Sequence, residues 1–177
     1  MTFKFRLYRI LTSICLFFSS FLTLTGISLL FQSGFNPLML LLAAFLSLFF
    51  VNSILSLYLQ RSLLIPQFNL KESTPSGIKI TGGIILFFTT IWIIRAVQLI
   101  VTAKTGVEAM REQVAALNEE LAKTISSELL VGTGIIILAF SALFFSNALL
   151  GIIYLKKWKK QQEEQHNHYP DDDNLQL

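Results

Sequence analysis

Four runs of apolar residues dominate the chain: Ile10 to Phe31, Leu38 to Leu59, Ile80 to Val101 and Leu129 to Leu155. A helix needs about 20 apolar residues to cross a hydrocarbon core about 30 Å thick, and each run meets that length. Inside lipid only a helix satisfies its own backbone groups over such a stretch. The runs therefore predict four transmembrane helices, over about 10–31, 38–59, 80–101 and 129–155.

Polar punctuation places the ends. Asn36 ahead of Pro37 predicts an N-cap with proline in the first helical position. Pro66 predicts that the second helix stops after Ile65. Thr74 and Pro75 offer a similar start for the third, loosened by Gly77, Gly82 and Gly83. The first run follows Lys4, Arg6 and Arg9 but is longer than a signal-peptide core and has no Ala-x-Ala site after it, so it is expected to stay as a membrane helix. Within it, Thr12, Cys15, Ser19, Thr23 and Gly26 share one face. Small residues let helices approach closely in lipid, and this stripe is expected to serve the chain's own bundle.

A different period appears between the third and fourth runs. Val107, Met110, Val114, Leu117 and Leu121 follow one another at steps of 3, 4, 3 and 4, a heptad-like spacing. Alanines around them favour helix, and Glu119 with Lys123 forms an i,i+4 pair in the favourable order. The spacing predicts an amphipathic helix over about 107–125, separated from the third span by a break at Thr105–Gly106. Its apolar seam has three uses open to it: packing on the protein's own helix ends, meeting another chain, or lying in the headgroups. The last ranks lowest, because the polar face is acidic where interfacial helices prefer Lys and Arg.

Composition agrees with a lipid solvent. Of the 177 residues, 53% are hydrophobic and 14% charged, with a mean hydropathy of +0.62. A soluble domain carries about 25% charged residues. The net charge of +3 sits at the ends of the apolar runs, not on a face of a polar domain, which argues against nucleic-acid binding. The lone Cys15 has no disulfide partner in the chain and no metal-ligand companions, so it reads as packing.

The basic residues also orient the chain. Lys4, Arg6 and Arg9 precede the first span, Arg61, Lys71 and Lys79 lie around the second loop, and Lys156, Lys157, Lys159 and Lys160 follow the fourth span. The first loop has none, and in the third loop acids outnumber bases. Both termini are thus expected in the cytoplasm and the amphipathic helix outside. Trp158 among Lys156, Lys157, Lys159 and Lys160 makes an interfacial anchor. Residues 161–177 are polar and are expected to form a disordered cytoplasmic tail, in which His166 and His168 lack the surroundings of a metal site. The compact loops suit a plasma membrane, a bacterial inner membrane among them.

Three polar residues inside the spans are the candidates for function. Arg95 is a charge inside the third span, where charge is costly and marks a functional site by default. It either snorkels to the nearer interface, about 9 Å away at 1.5 Å per residue, or pairs with Glu128 at the start of the fourth span. Asn52 and Asn147 lie at similar depths in the second and fourth helices, so a hydrogen bond between them is expected; the other reading is that they line a polar path with Ser53, Ser56 and Ser146. No phosphate-binding loop, dinucleotide fingerprint, His-Glu-x-x-His or Cys-x-x-Cys occurs, and no carboxylate lies within a span.

The expected fold is all-α: a four-helix transmembrane domain over residues 1–160 with an extracytoplasmic amphipathic helix between helices three and four. The expected function is non-enzymatic, as an interaction, assembly or accessory subunit whose partners are the bilayer and another membrane protein or a second copy, with no cofactor. The alternative is an oligomeric transporter or channel for ions or small solutes, with Arg95, Asn52 and Asn147 along its path.

Overall fold

The computed structural model describes residues 3–65, 68, 70–116 and 118–168, with backbone alone at 121 and 165–168. The described residues form five helices and no strand: α1 (Phe3–Gln32), α2 (Pro37–Leu64), α3 (Ser73–Ala115), α4 (Glu119–Thr124) and α5 (Ser127–His168). The fold is an all-α four-helix membrane bundle. Four of the helices are long and apolar enough to cross a membrane, and only about a fifth of each apolar window is buried inside the protein. The remaining surface is apolar, with Phe17, Phe21, Leu24, Leu38, Leu41, Phe87 and Val101 among its large exposed side chains. A water-soluble protein does not carry apolar surface on that scale; a multi-pass membrane protein requires it.

Each helix end has a local cause. Ser33 and Phe35 donate backbone hydrogen bonds to the Leu29 and Leu30 carbonyls and close the last turn of α1. Gly34 then adopts φ +64°, a left-handed conformation that glycine takes without steric cost. Asn36 caps α2, its Oδ1 accepting from the Leu38 N–H at 2.9 Å, with Pro37 next. The α2 ladder ends at Leu64 with Ile65 as C-cap, while Pro66 lies outside the described residues. Ser126 caps α5 by accepting from the Leu129 N–H at 3.2 Å.

Two boundaries differ from the sequence expectation. The third helix begins at Ser73, so Thr74 and Pro75 fall inside its first turn, and it does not break at Thr105–Gly106 but runs to Ala115. A mid-helix glycine costs about 1 kcal/mol, too little to end a helix whose flanking turns are packed. Here Ala103, Val107 and Met110 pack with Ile125 and Leu130, and the Thr102 hydroxyl bonds back to the Gln98 carbonyl at 2.8 Å. The expected outside helix is instead split between the end of α3, at Ala115, and the six-residue α4, which begins at Glu119. Likewise, the polar segment expected to be disordered from 161 continues α5 as far as His168, supported by a Lys160–Glu164 pair at 3.7 Å; residues 169–177 lie outside the described residues.

The contacts divide the chain into two compact units. The first comprises Met1–Ile85 with Ser146–Leu177, so it holds α1, α2, the first part of α3 and the last part of α5. Its apolar core joins Phe5 and Tyr8 of α1, Leu59 of α2, Ile78 of α3, and Tyr154 and Leu155 of α5. The Tyr8 and Tyr154 rings stack 5.1 Å apart. In α1 the buried face runs Phe5, Tyr8, Thr12, Cys15, Ser19, Gly26 and Leu30, which contains most of the small-residue stripe. At Gly26 a Cβ would stand 3.3 Å from Ala43 Cα, so glycine there lets the α1 and α2 backbones approach.

The second unit is Leu86–Phe145. Its core gathers Ala103, Ile125 and Leu130, with Leu99, Val107, Met110, Val114 and Val131 packed around them. Arg111 ties the end of α3 to the α4–α5 connection: its Nε donates to the Ile125 carbonyl at 2.8 Å and its Nη1 pairs with Glu108 at 3.2 Å.

Candidate functional site

The polar residues of the first unit come together on the inner faces of its helices. Asn52, Ser53, Ser56 and Gln60 recur on one face of α2, as residues one and two turns apart must, and all four are buried. Tyr8 and Thr12 are one turn apart on α1, and Asn147 and Gly151 one turn apart on α5; all four are buried. Burial of so many polar groups among apolar helices requires that they bond to one another.

They largely do. The Thr12 hydroxyl donates to Asn147 Oδ1 at 2.7 Å and accepts from Gln60 Nε2 at 2.7 Å, joining α5, α1 and α2 through one side chain. Gln60 Nε2 also reaches the Tyr8 carbonyl at 3.4 Å. Thr81 of α3 donates to Asn52 Oδ1 at 3.1 Å, joining α3 to α2. Near the α5 lysines, Trp158 Nε1 donates to Ser62 Oγ of α2 at 2.9 Å.

Asn52 and Asn147 therefore do not bond to each other as expected. They are 3% and 0% exposed, and each is taken by a threonine of a neighbouring helix. Equal depth places two residues at one level, but the rotation of each helix decides which neighbour its side chain meets. Thr12, Gln60 and Thr81 were not singled out as partners. The i,i+4 spacing of Asn52, Ser56 and Gln60 marks Gln60, and that of Tyr8 and Thr12 marks Thr12, while no such spacing marks Thr81.

The bonding is incomplete around Asn147. Thr12 has a single hydroxyl proton but two acceptors in reach, Asn147 Oδ1 at 2.7 Å and the Tyr8 carbonyl at 2.9 Å. Turning the Asn147 amide over lets its Nδ2 donate to Thr12 while Thr12 donates to Tyr8. In either orientation one Asn147 amide atom lacks a protein partner. Tyr8 Oη and Ser56 Oγ are buried close to each other with no hydrogen bond of good geometry, and Asn147 Nδ2 has no partner. Both hydroxyls face Gly151, where a Cβ would stand 3.4 Å from Tyr8 Oη and 3.6 Å from Ser56 Oγ.

Arg95 belongs to the second unit and is exposed. Its Nη1 donates to Gln98 Oε1 at 3.3 Å, one turn along the same helix. The expected pairing with Glu128 is not made. Glu128 sits ahead of the fourth apolar run and takes a hydrogen bond from the Ser127 hydroxyl at 3.0 Å.

The heptad-like seam is used internally where it is described. Val107, Met110 and Val114 are half-buried against the Ala103–Ile125–Leu130 cluster; the Leu117 and Leu121 side chains lie outside the described residues. At the C-terminal anchor, Lys156, Lys157, Lys159 and Lys160 are exposed, with Lys157 Nζ 5.3 Å from the centre of the Tyr154 ring.

Shallow clefts among the described residues include the following two. One, of about 500 Å³, is lined by Arg6, Arg9, Ile10, Ser13 and Ile14, and the other, of about 450 Å³, by residues of α3 and α4 around Arg111 and Lys123. None of the buried polar residues lines either cleft. Among the described residues no three His, Cys, Asp or Glu side chains gather as metal ligands would. Compared with known proteins, the chain matches no family model, no curated protein and no solved structure.

Proposed function

We propose that this multi-pass membrane protein is a non-enzymatic accessory or assembly subunit. It would lie in a plasma membrane with both termini in the cytoplasm and the α3–α4 end outside. The observation that carries the reading is the fate of the buried polar groups. Thr12, Asn147, Gln60, Asn52 and Thr81 spend hydrogen bonds on joining helix to helix, which is what a stable scaffold needs. A conduit would instead leave such groups facing open space. The orientation rests on the placement of Lys and Arg around the spans.

A second reading has one observation in its favour. Asn147 Nδ2 is buried without a hydrogen bond, Tyr8 Oη and Ser56 Oγ make none of good geometry, and polar groups left so at depth are what an ion or solute path through an oligomer would use. The native mass of gently extracted protein separates the two readings. The accessory reading expects a stoichiometric complex with a different protein. A defined homo-oligomer alone would shift the case to the channel, and flux through Asn147→Leu and Ser56→Ala variants would become the test.

A further inference from the structure

Within the four apolar runs the charged side chain is Arg95, and among the described residues it has no ion pair. On the same helix Ile91, Ile94, Val97, Gln98 and Val101 are also exposed, so the guanidinium stands in an apolar surface with one amide beside it. A guanidinium has five N–H donors. Its contact in the structure is with Gln98 Oε1, a neutral acceptor at 3.3 Å, and it makes no ion pair. A charge at membrane depth either snorkels to the nearer interface or takes a counter-charge, and the contact with Gln98 supplies none. The chain does not supply one there: between Glu72 and Glu108 there is no acid, and the apolar runs of α1, α2 and α5 contain none. Glu128 is committed to the first turn of α5. A second copy would bring the same acids at the same places in its sequence, all outside its apolar runs.

Building on the accessory-subunit reading, we propose that the Arg95–Gln98 face of α3 docks a transmembrane helix of a different protein, one carrying an Asp or Glu at matching depth. The carboxylate takes the free guanidinium N–H groups, an arrangement that arginine's planar fork favours as a bidentate pair. Gln98 then holds the Arg95 side chain in place, and Ile91, Ile94 and Val101 supply the apolar contact around the pair.

The test is photo-crosslinking in native membranes. A photoreactive residue is placed at Ile94 or Val101, with Phe17 of α1 as the control position, and the adduct is identified by mass. The expected result is one hetero-adduct from α3 and none from Phe17. Its yield should fall at least tenfold in Arg95→Leu and persist in Arg95→Lys, and the captured protein should carry an intramembrane Asp or Glu. Arg95→Glu, combined with Arg in place of that partner acid, should restore the adduct. Should Arg95→Leu fail to accumulate, Arg95→Gln removes the charge with a smaller change of shape and the same loss is expected. An adduct only with a second copy, an adduct insensitive to Arg95, or a captured helix without an acid would overturn the proposal. A heteromer whose native mass survives Arg95→Gln would sink this face while leaving the accessory reading standing; a partnerless monomer would sink both.

Discussion

Thr12 does more to join the helices than its size suggests. One small side chain meets Gln60 of α2 and Asn147 of α5, all three buried. Hydrogen bonds of this kind between membrane helices average about 0.6 kcal/mol and reach about 1.7 kcal/mol. Thr12→Val keeps the shape and removes the hydroxyl, so Thr12→Val and Asn147→Leu should be coupled in a double-mutant cycle by an energy in that range. Asn52→Leu with Thr81→Val should be coupled in the same way. Asn52→Leu with Asn147→Leu should be additive, since these residues share no bond. Unfolding of the detergent-solubilised variants measures all three cycles, and strong coupling in the third would contradict the network described above.

At the scale of the helix, close approach is governed by a few positions. At Gly134 of α5 a Cβ would stand 2.6 Å from Ile100 Cγ1 and 3.2 Å from the Ala96 carbonyl, whereas at Gly132 nothing lies within 4 Å. Gly134→Ala should therefore force α3 and α5 apart locally and destabilise by about 1–3 kcal/mol, the usual cost of overpacking. Gly132→Ala, on the same helix, should be neutral or gain up to about 1 kcal/mol from helix propensity. A melting comparison of the two variants checks this directly. The seam offers a second test. Because Met110 packs against the Ala103–Ile125–Leu130 cluster, Met110→Ala should lower thermal stability while leaving the native mass unchanged. Loss of a partner with stability intact would instead mean that the seam faces another chain.

For the whole molecule, membrane residence and orientation are separate matters. The long apolar helices with exposed Phe, Leu and Ile surfaces need lipid or detergent around them. The proposed orientation rests on charge alone and is open to direct test. With Cys15 replaced by Ser, a cysteine at Glu120 should react with a membrane-impermeant maleimide added to intact cells, and one at Lys71 only after permeabilisation. The opposite labelling would reverse the proposed topology and move the α3–α4 end to the cytoplasm.

What the sequence determined by itself was whatever depends on composition along one helix. The four spans follow from apolar length, because transfer into lipid depends on each segment's own surface. The buried stripe of α1 follows from the helical period, which decides which residues share a face before any neighbour is known. The tertiary structure decided what depends on rotation and contact. Asn147 meets Thr12 and not Asn52, because depth along an axis does not say which way a side chain points. The third helix passes Gly106 because packing around Ala103 and Met110 outweighs a propensity cost of about 1 kcal/mol. Arg95 bonds to Gln98 of its own helix and Glu128 to its neighbour Ser127, a choice of contacts that spacing along the chain does not fix.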